Sequence, residues 1–438
     1  MSREILIQTD KRECLVAILE NGRLDDFHIE VDRYQSLLGN IYKGKVENIL
    51  PSINAAFVNI GYEKNGFLYL TDADNPLLEE EVPVERNLIE KIFRKKPHRK
   101  PRPEKKPKTE KDSISLQIGQ EILVQVVKDP FAGKGPRLTT HLTLPGRFVV
   151  YMPYDKQTGV SRKIDRVEER QRLREIMAEL TFAKMGGFIV RTASLHQGKK
   201  EIIRDGKFLY ELWQKIYKKA EEVSAPFLVY EEGELTWKIV RDYLTDNVER
   251  LIIDDQEEFL KIRKFVQTLI GKEMVEKIQL YKGDMGLFDS RNVSKELHKI
   301  YDTHIYAKNG AYVVIEQTEG FTTIDVNSGK FKVKASPGEA AFMVNMEVIP
   351  DIARQLRLRD LGGIIVIDFI DMTRDDHKRK VVEALRRYLS KDPAKTEVNN
   401  ISPLGLVEMT RARTGKTIES ISFGKCPFCD GRGRVKIP

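Results

Sequence analysis

The stretch "GGIIVIDFIDM" (362–372) constrains this chain more than any other. Its apolar run is continuous and flanked by glycines, so it reads as a buried strand. Asp368 stands at the end of the run. A carboxylate there needs a reason, because burying it unpaired is costly. A second such element lies upstream. "AYVVIEQTEGFTTIDVNSGKF" (311–331) reads as a strand, a turn at Glu319-Gly320 and a second strand that carries Asp325 at its C-terminal end. If the two strands are neighbours, Asp325 and Asp368 converge and form a site for a hard cation. Magnesium suits such a site, since it typically takes one or two protein carboxylates and keeps several waters. Asn327 lies two residues after Asp325 and so projects from the same strand face. Asp371, three residues after Asp368, is expected to face away. It would sit near a helix start, where Thr373 and Asp376 have capping-box spacing. Structural salt bridges are the competing explanation for Asp325 and Asp368. A long helical stretch separates the two strands, and Pro350 inside it predicts a kink.

At 438 residues the whole chain is long enough for about two to four domains. Its 41% hydrophobic and 32% charged residues fit a soluble globular protein with a proper core. No run of about 18 apolar residues exists, so no membrane-spanning helix is expected. The start, "MSREILIQTD", has no apolar segment of a secretory signal. Three cysteines in 438 residues argue against a disulfide framework and for a reducing cytoplasm.

The net charge of +8 is unevenly placed. "RKKPHRKPRPEKKPKTEK" (94–111) holds ten Lys/Arg and two Asp/Glu. Taking these from totals of 74 and 66 leaves 64 of each sign, so the whole excess sits in this run. Its four prolines and lack of aliphatic residues predict a disordered basic loop. The loop is either a solvated linker or a mobile electrostatic hook for RNA phosphates.

Strand-like runs flank that loop. They are 40–50, 55–61 and 65–74 before it, and 121–129 and 137–143 after it. Five short strands broken by Gly and Pro predict a small barrel. A five-stranded barrel that binds oligonucleotides on one face is the OB-fold. Phe57 and Phe67 fall on its second and third strands, where such barrels stack bases. Both could equally be core residues. The nearby Lys43, Lys45, Lys64 and Lys134 favour binding.

Further on, 165–184 and 205–223 read as amphipathic helices. Between them, "GGFIVRTASLHQGKK" leads an apolar strand into Arg191 and Thr192. A guanidinium fork beside a hydroxyl is suited to phosphate, although an Arg at a strand end is often only a surface charge. Near the end of the sequence, Cys426 and Cys429 in "CPFCDGRG" have the spacing of a zinc knuckle. A tetrahedral zinc needs four ligands, and these make half a site. The third cysteine, Cys14, is over 400 residues upstream. A redox pair or unligated thiols remain alternatives.

Taken together, "IYKGKVENILPSINAAFVNIG", "TTIDVNSGKF", "ARQLRLRDLGGIIVIDFIDM" and "CPFCDGRG" resemble the bacterial ribonuclease E/G family, in order and over essentially the whole chain. The resemblance is to its ribonuclease G branch, in a short form. Only nine residues follow Cys429, so neither a small C-terminal domain nor a long tail is expected. The basic loop is longer than that family leads one to expect.

The resemblance implies an α/β multidomain chain. An RNase H-like subdomain would comprise 1–35 and 237–300. An OB-fold RNA-binding domain would span 36–140, a 5′-phosphate sensor domain 141–236, a deoxyribonuclease-like catalytic subdomain 301–422 and a zinc-link 423–438. It also implies site residues. Asp325 and Asp368 would hold one magnesium ion per active site, with Asn327 catalytic beside them. Phe57, Phe67 and Lys134 would contact RNA. Arg191 and Thr192 would sense a 5′-phosphate. Cys426 and Cys429 would share one zinc per homodimer between protomers.

The implied activity is magnesium-dependent endonucleolytic cleavage of single-stranded RNA in rRNA maturation and mRNA decay. A 5′-monophosphate would be preferred, and products would carry 5′-phosphate and 3′-hydroxyl ends. The alternative is a non-catalytic RNA-binding or ribosome-assembly factor. Such a protein would keep the barrel and the basic loop but would not need two strand-end carboxylates.

Overall fold

The structure is a computed structural model that describes residues 2–31, 36–73, 116–130, 133–179, 186–318, 320–333, 335–412, 418–424, 426–429 and 433. The basic run 94–111 lies outside these residues. The chain divides into two compact units, one of Leu37–Glu232 and one of Met1–Ser36 with Gly233–Pro438.

The inserted unit contains an OB-like barrel. Ile41–Leu50, Ala55–Asn59, Gly66–Tyr69, Arg137–Thr139 and Glu121–Lys128 pair in that order, and Glu121–Lys128 pairs back to Ile41–Leu50 to close the ring. Only Gly66–Tyr69 and Arg137–Thr139 run parallel. Alternation along each strand makes the core: Val46, Ala56, Val58, Leu68, Val124, Val126 and Leu138 point inward. Gly66 is demanded by this packing, because a Cβ there would stand 2.3 Å from the Leu138 side chain.

The same unit carries a four-stranded sheet ordered Gly159–Val160, Gly187–Val190, Val149–Met152, Leu144–Pro145. Helices Val167–Ala178 and Lys199–Glu222 accompany it. The second helix begins six residues earlier than the expected 205. Gly198 is extended, and Glu201 places an acid in the first turn, where it complements the helix dipole.

The other unit has two sheets. The first is ordered Ile278–Leu280, Val248–Ile253, Arg3–Thr9, Glu13–Glu20, Arg23–Val31. Ile5, Leu6 and Ile7 have no exposed surface, since apolar clusters cover both faces of this strand. The second sheet is ordered His304–Tyr306, Tyr312–Gln317, Phe321–Asn327, Gly363–Asp368, Leu406–Arg411, Thr396–Ile401. Its one parallel pair is Phe321–Asn327 with Gly363–Asp368. A parallel pair needs a crossover, which is the helix Pro337–Leu358. That helix starts at Ser336, whose hydroxyl caps the Glu339 N–H, and it runs through Pro350 without ending. Asp375–Leu389 packs beside it.

The 362–372 stretch corrects one expectation. It is not buried throughout. Ile365 and Ile367 are fully buried, but Ile364 is 54% exposed and Asp368 faces out. The helices bury one face of a largely antiparallel sheet, and the other face meets solvent. A continuous apolar run therefore did not mean burial on both sides.

Candidate active site and RNA interface

Asp325 and Asp368 meet as expected. The register of the parallel pair makes them direct partners. Each is positioned by alternation. Ile324 and Val326 turn inward around Asp325, and Ile367 and Phe369 turn inward around Asp368. Both carboxylates therefore stand on the solvent-facing side. Asn327 shares that face, and its Nδ2 donates to Asp325 Oδ2 at 2.9 Å. Burial raises the Asp368 carboxyl above the usual range, with the charges of Asp325 and Asp371 adding to it.

One further expectation changes here. Thr373 and Asp376 do not form a capping box. The helix begins after Arg374 without a side-chain cap, and Asp376 instead accepts two hydrogen bonds from Arg374, at 2.9 Å each.

A residue the sequence did not flag supports this site. Asn345, on the crossover helix, has no exposed surface. Its Nδ2 donates to the Ile370 carbonyl at 2.8 Å, and its Oδ1 accepts from the Ile370 N–H at 3.0 Å. One buried amide thus satisfies both backbone groups of a residue two beyond Asp368. The signal that could have found it is a lone Asn among Ala341, Val344 and Val348 on an apolar helix face.

The donor set suits a hard cation. Two solvent-facing carboxylates repel each other, and a divalent ion between them relieves that repulsion. Among the described residues no group of three or more His, Cys, Asp or Glu side chains is placed to hold a metal. The pair therefore leaves most of a coordination shell to water or substrate.

On the barrel, Phe57 and Phe67 are cross-strand partners. They are half-buried on the outer face while Ala56, Val58 and Leu68 fill the core. Their rings meet edge to face at 5.7 Å. Lys134 is exposed. Lys64 Nζ donates to the Gly133 carbonyl. Lys43 is less available than expected, being held by Glu121 at 3.1 Å and the Val223 carbonyl at 2.8 Å. Tyr69 was missed, although it follows Phe67 by two residues and so shares its face.

In the other half of this unit, Arg191 follows the strand Gly187–Val190 and precedes the turn Thr192–Ser194. Thr192 is exposed. Arg191 Nη1 donates to the Gly146 carbonyl. The turn that follows Gly146 is fixed from the other side. Asp205, buried on the helix, accepts the backbone N–H groups of Arg147, Phe148 and Val149 at 3.2, 2.8 and 3.0 Å. Burial nevertheless raises its carboxyl. Glu169 anchors the loop beyond Thr192 by accepting the His196 N–H at 3.0 Å. Glu169 lies low, at about 2, chiefly through its hydrogen bonds from Arg172.

Cys426 and Cys429 lie on one turn. The backbone N–H groups of Cys429 and Phe428 hold the Cys426 thiol below its ordinary range. The thiolate is the form that binds zinc. Burial pushes the Cys14 thiol up to about 12, which suits a structural residue. One chain thus brings two cysteine side chains to this turn, half of the four ligands a closed zinc site needs.

Residues 143–414 match the ribonuclease E/G family model. The chain is 38% identical over 437 residues to ribonuclease G of Escherichia coli, covering all of this chain and 85% of that protein. It is 39% identical over 433 residues to ribonuclease G of Haemophilus influenzae, covering 99% and 84%. Against ribonuclease E of Escherichia coli it is 35% identical over 437 residues, covering all of this chain but 39% of that protein.

Proposed function

Because the chain belongs to the ribonuclease E/G family and is an endoribonuclease of RNA processing, we propose that it cuts single-stranded RNA at the Asp325–Asp368 pair with magnesium. The observation that carries this reading is the register that makes the two aspartates partners on adjacent parallel strands. Held there, magnesium supplies positive charge against the scissile phosphate and lowers the pKa of water. Asn327 fixes the Asp325 carboxylate through its amide and orients the group that enters beside it. The products carry 5′-phosphate and 3′-hydroxyl ends.

Phe57 and Phe67 hold unpaired bases on the barrel, and Lys134 supplies charge at its edge. Arg191 and Thr192 grip a 5′-monophosphate, which a triphosphate would overfill. The fixing of the 146–149 turn by Asp205 supports a preformed pocket there. Cys426 and Cys429 bind one zinc shared by two chains, making a homodimer. The RNAs cut are those of rRNA maturation and mRNA decay, in the cytoplasm. Among the described residues no helix is long and apolar enough to cross a membrane.

One experiment tests the core of this. A single oligoribonucleotide is offered with a 5′-monophosphate or a 5′-hydroxyl, with magnesium or with EDTA. Cleavage is expected only with magnesium and faster with the monophosphate. Equal rates in EDTA would overturn the metal reading, and equal rates for both ends would overturn the sensor.

A further inference from the structure

The row of aromatics on the barrel does not stop at Phe67. Tyr69 lies two residues on, at the end of the same strand, and its ring meets Phe67 edge to face at 4.8 Å. The guanidinium of Arg137 sits over the Tyr69 ring, 4.8 Å from its centroid. Arg137 is the register partner of Phe67 on the neighbouring parallel strand. Asp72 accepts from Arg137 Nη2 at 3.0 Å and fixes the guanidinium plane. Phe57, Phe67, Tyr69 and Arg137 therefore form one contiguous outward-facing surface.

Packing does not explain the last part of it. Tyr69 is 37% exposed, while its neighbour Leu68 fills the core. The Arg137–Asp72 pair is partly exposed, and surface ion pairs contribute at most about 1 kcal/mol. A single exposed aromatic needs no explanation. One that extends a row of two on a barrel face, with a guanidinium layered on it, has the chemistry of base stacking. Bases stack on aromatic rings and on Arg planes alike.

We propose that Tyr69, with Arg137 fixed above it by Asp72, forms a third stacking subsite that takes one further unpaired nucleotide of single-stranded RNA. This rests on the reading of Phe57 and Phe67 as base-stacking residues, so its test includes them. The full-length protein is titrated into fluorescent 5′-hydroxyl oligouridylates of increasing length, without magnesium so that nothing is cut. Anisotropy gives the affinity. Tyr69→Ala is expected to weaken binding of the longer oligonucleotides by about 5- to 160-fold. Its affinity should stop rising one nucleotide shorter than that of the wild type. Tyr69→Phe, which keeps the ring, should bind within about twofold of wild type.

Three results overturn the proposal. In the first, Tyr69→Ala binds like wild type while Phe57→Ala or Phe67→Ala is weakened, so the platform ends at Phe67. In the second, the loss is equal at every length, which marks a general disturbance rather than a missing subsite. In the third, none of the three alanine variants is weakened, which removes the barrel's role in stacking along with this extension of it.

Discussion

Neutralising one carboxylate of the proposed metal site is expected to stabilise the protein while abolishing its activity. Asp325 and Asp368 are register partners on adjacent strands, whose backbones run about 4.8 Å apart. Two like charges at about 5 Å repel by about 1 kcal/mol in water and about 3 kcal/mol at an effective dielectric of about 20. Both carboxylates face solvent, so the lower figure applies. The Asp368 carboxyl is raised by burial and then by Asp325 and Asp371, so that repulsion is felt there. Asp368→Asn removes it. Asp325→Asn would also disturb the hydrogen bond from Asn327, so Asp368 is the cleaner site. A gain of about 1 kcal/mol raises the Tm of a unit of this size by about 2–4 °C. Thermal unfolding in EDTA should show that rise. In magnesium the wild type should gain stability and the variant should not. Cleavage of a 5′-monophosphorylated oligoribonucleotide should fall below detection while its binding persists. A variant that melts below wild type in EDTA would refute the repulsion, and one that still cuts would refute the metal site.

Arg191→Ala should erase the rate advantage of a 5′-monophosphate while leaving cleavage of 5′-hydroxyl RNA nearly unchanged; an unaltered ratio of the two rates would place the sensor elsewhere. Cys426→Ser with Cys429→Ser should lose zinc and dimer together, since a structural zinc is worth on the order of 10 kcal/mol in small peptides. Half a zinc per chain in a dimeric wild type is expected, and one full zinc in a monomer would refute the shared site. The pair of buried Asp26 and half-buried His28 sets a pH dependence. Burial opposes both charges, but their mutual attraction and the Tyr243 hydrogen bond lower Asp26, and Asp26 raises His28. The Asp26 contribution is present above its ordinary value of 3.8 and lost below it, and that of His28 is present below 6.5 and lost as pH rises through its raised value. The stability lost in Asp26→Asn, from urea unfolding, should therefore be larger at about pH 5 than at about pH 9; a larger loss at the higher pH would contradict the pairing.

Some of this was open to reading from the sequence because local rules decide it. Strand alternation and the two-residue step from Asp325 to Asn327 needed no tertiary knowledge. The barrel strands were marked by Gly and by β-branched residues. Other features depend on contacts between distant segments. The pairing of Arg3–Thr9 with Val248–Ile253 leaves no periodic trace in either strand. The exposure of Ile364 depends on which face the helices cover, and the apolar run could not say. Thr373 and Asp376 had capping spacing, but Arg374 captured Asp376 first.

Asn345 shows why the supporting residues were the hardest to see. The two aspartates could be found because an acid at the end of an apolar run conflicts with its surroundings. Their support consists of groups that resolve a conflict. The Ile370 N–H and carbonyl would otherwise need other partners as the chain turns out of the strand after Asp368. An orphaned buried backbone group costs about 1–3 kcal/mol. A single amide on the crossover helix meets both. That ties the helix joining the two aspartate-bearing strands to the exit of the second one. The crossover therefore does more than reverse the chain: it sets where Asp368 stands opposite Asp325. Asn345→Leu would keep the volume and lose the clamp, so its damage should fall on the geometry of the pair as well as on stability.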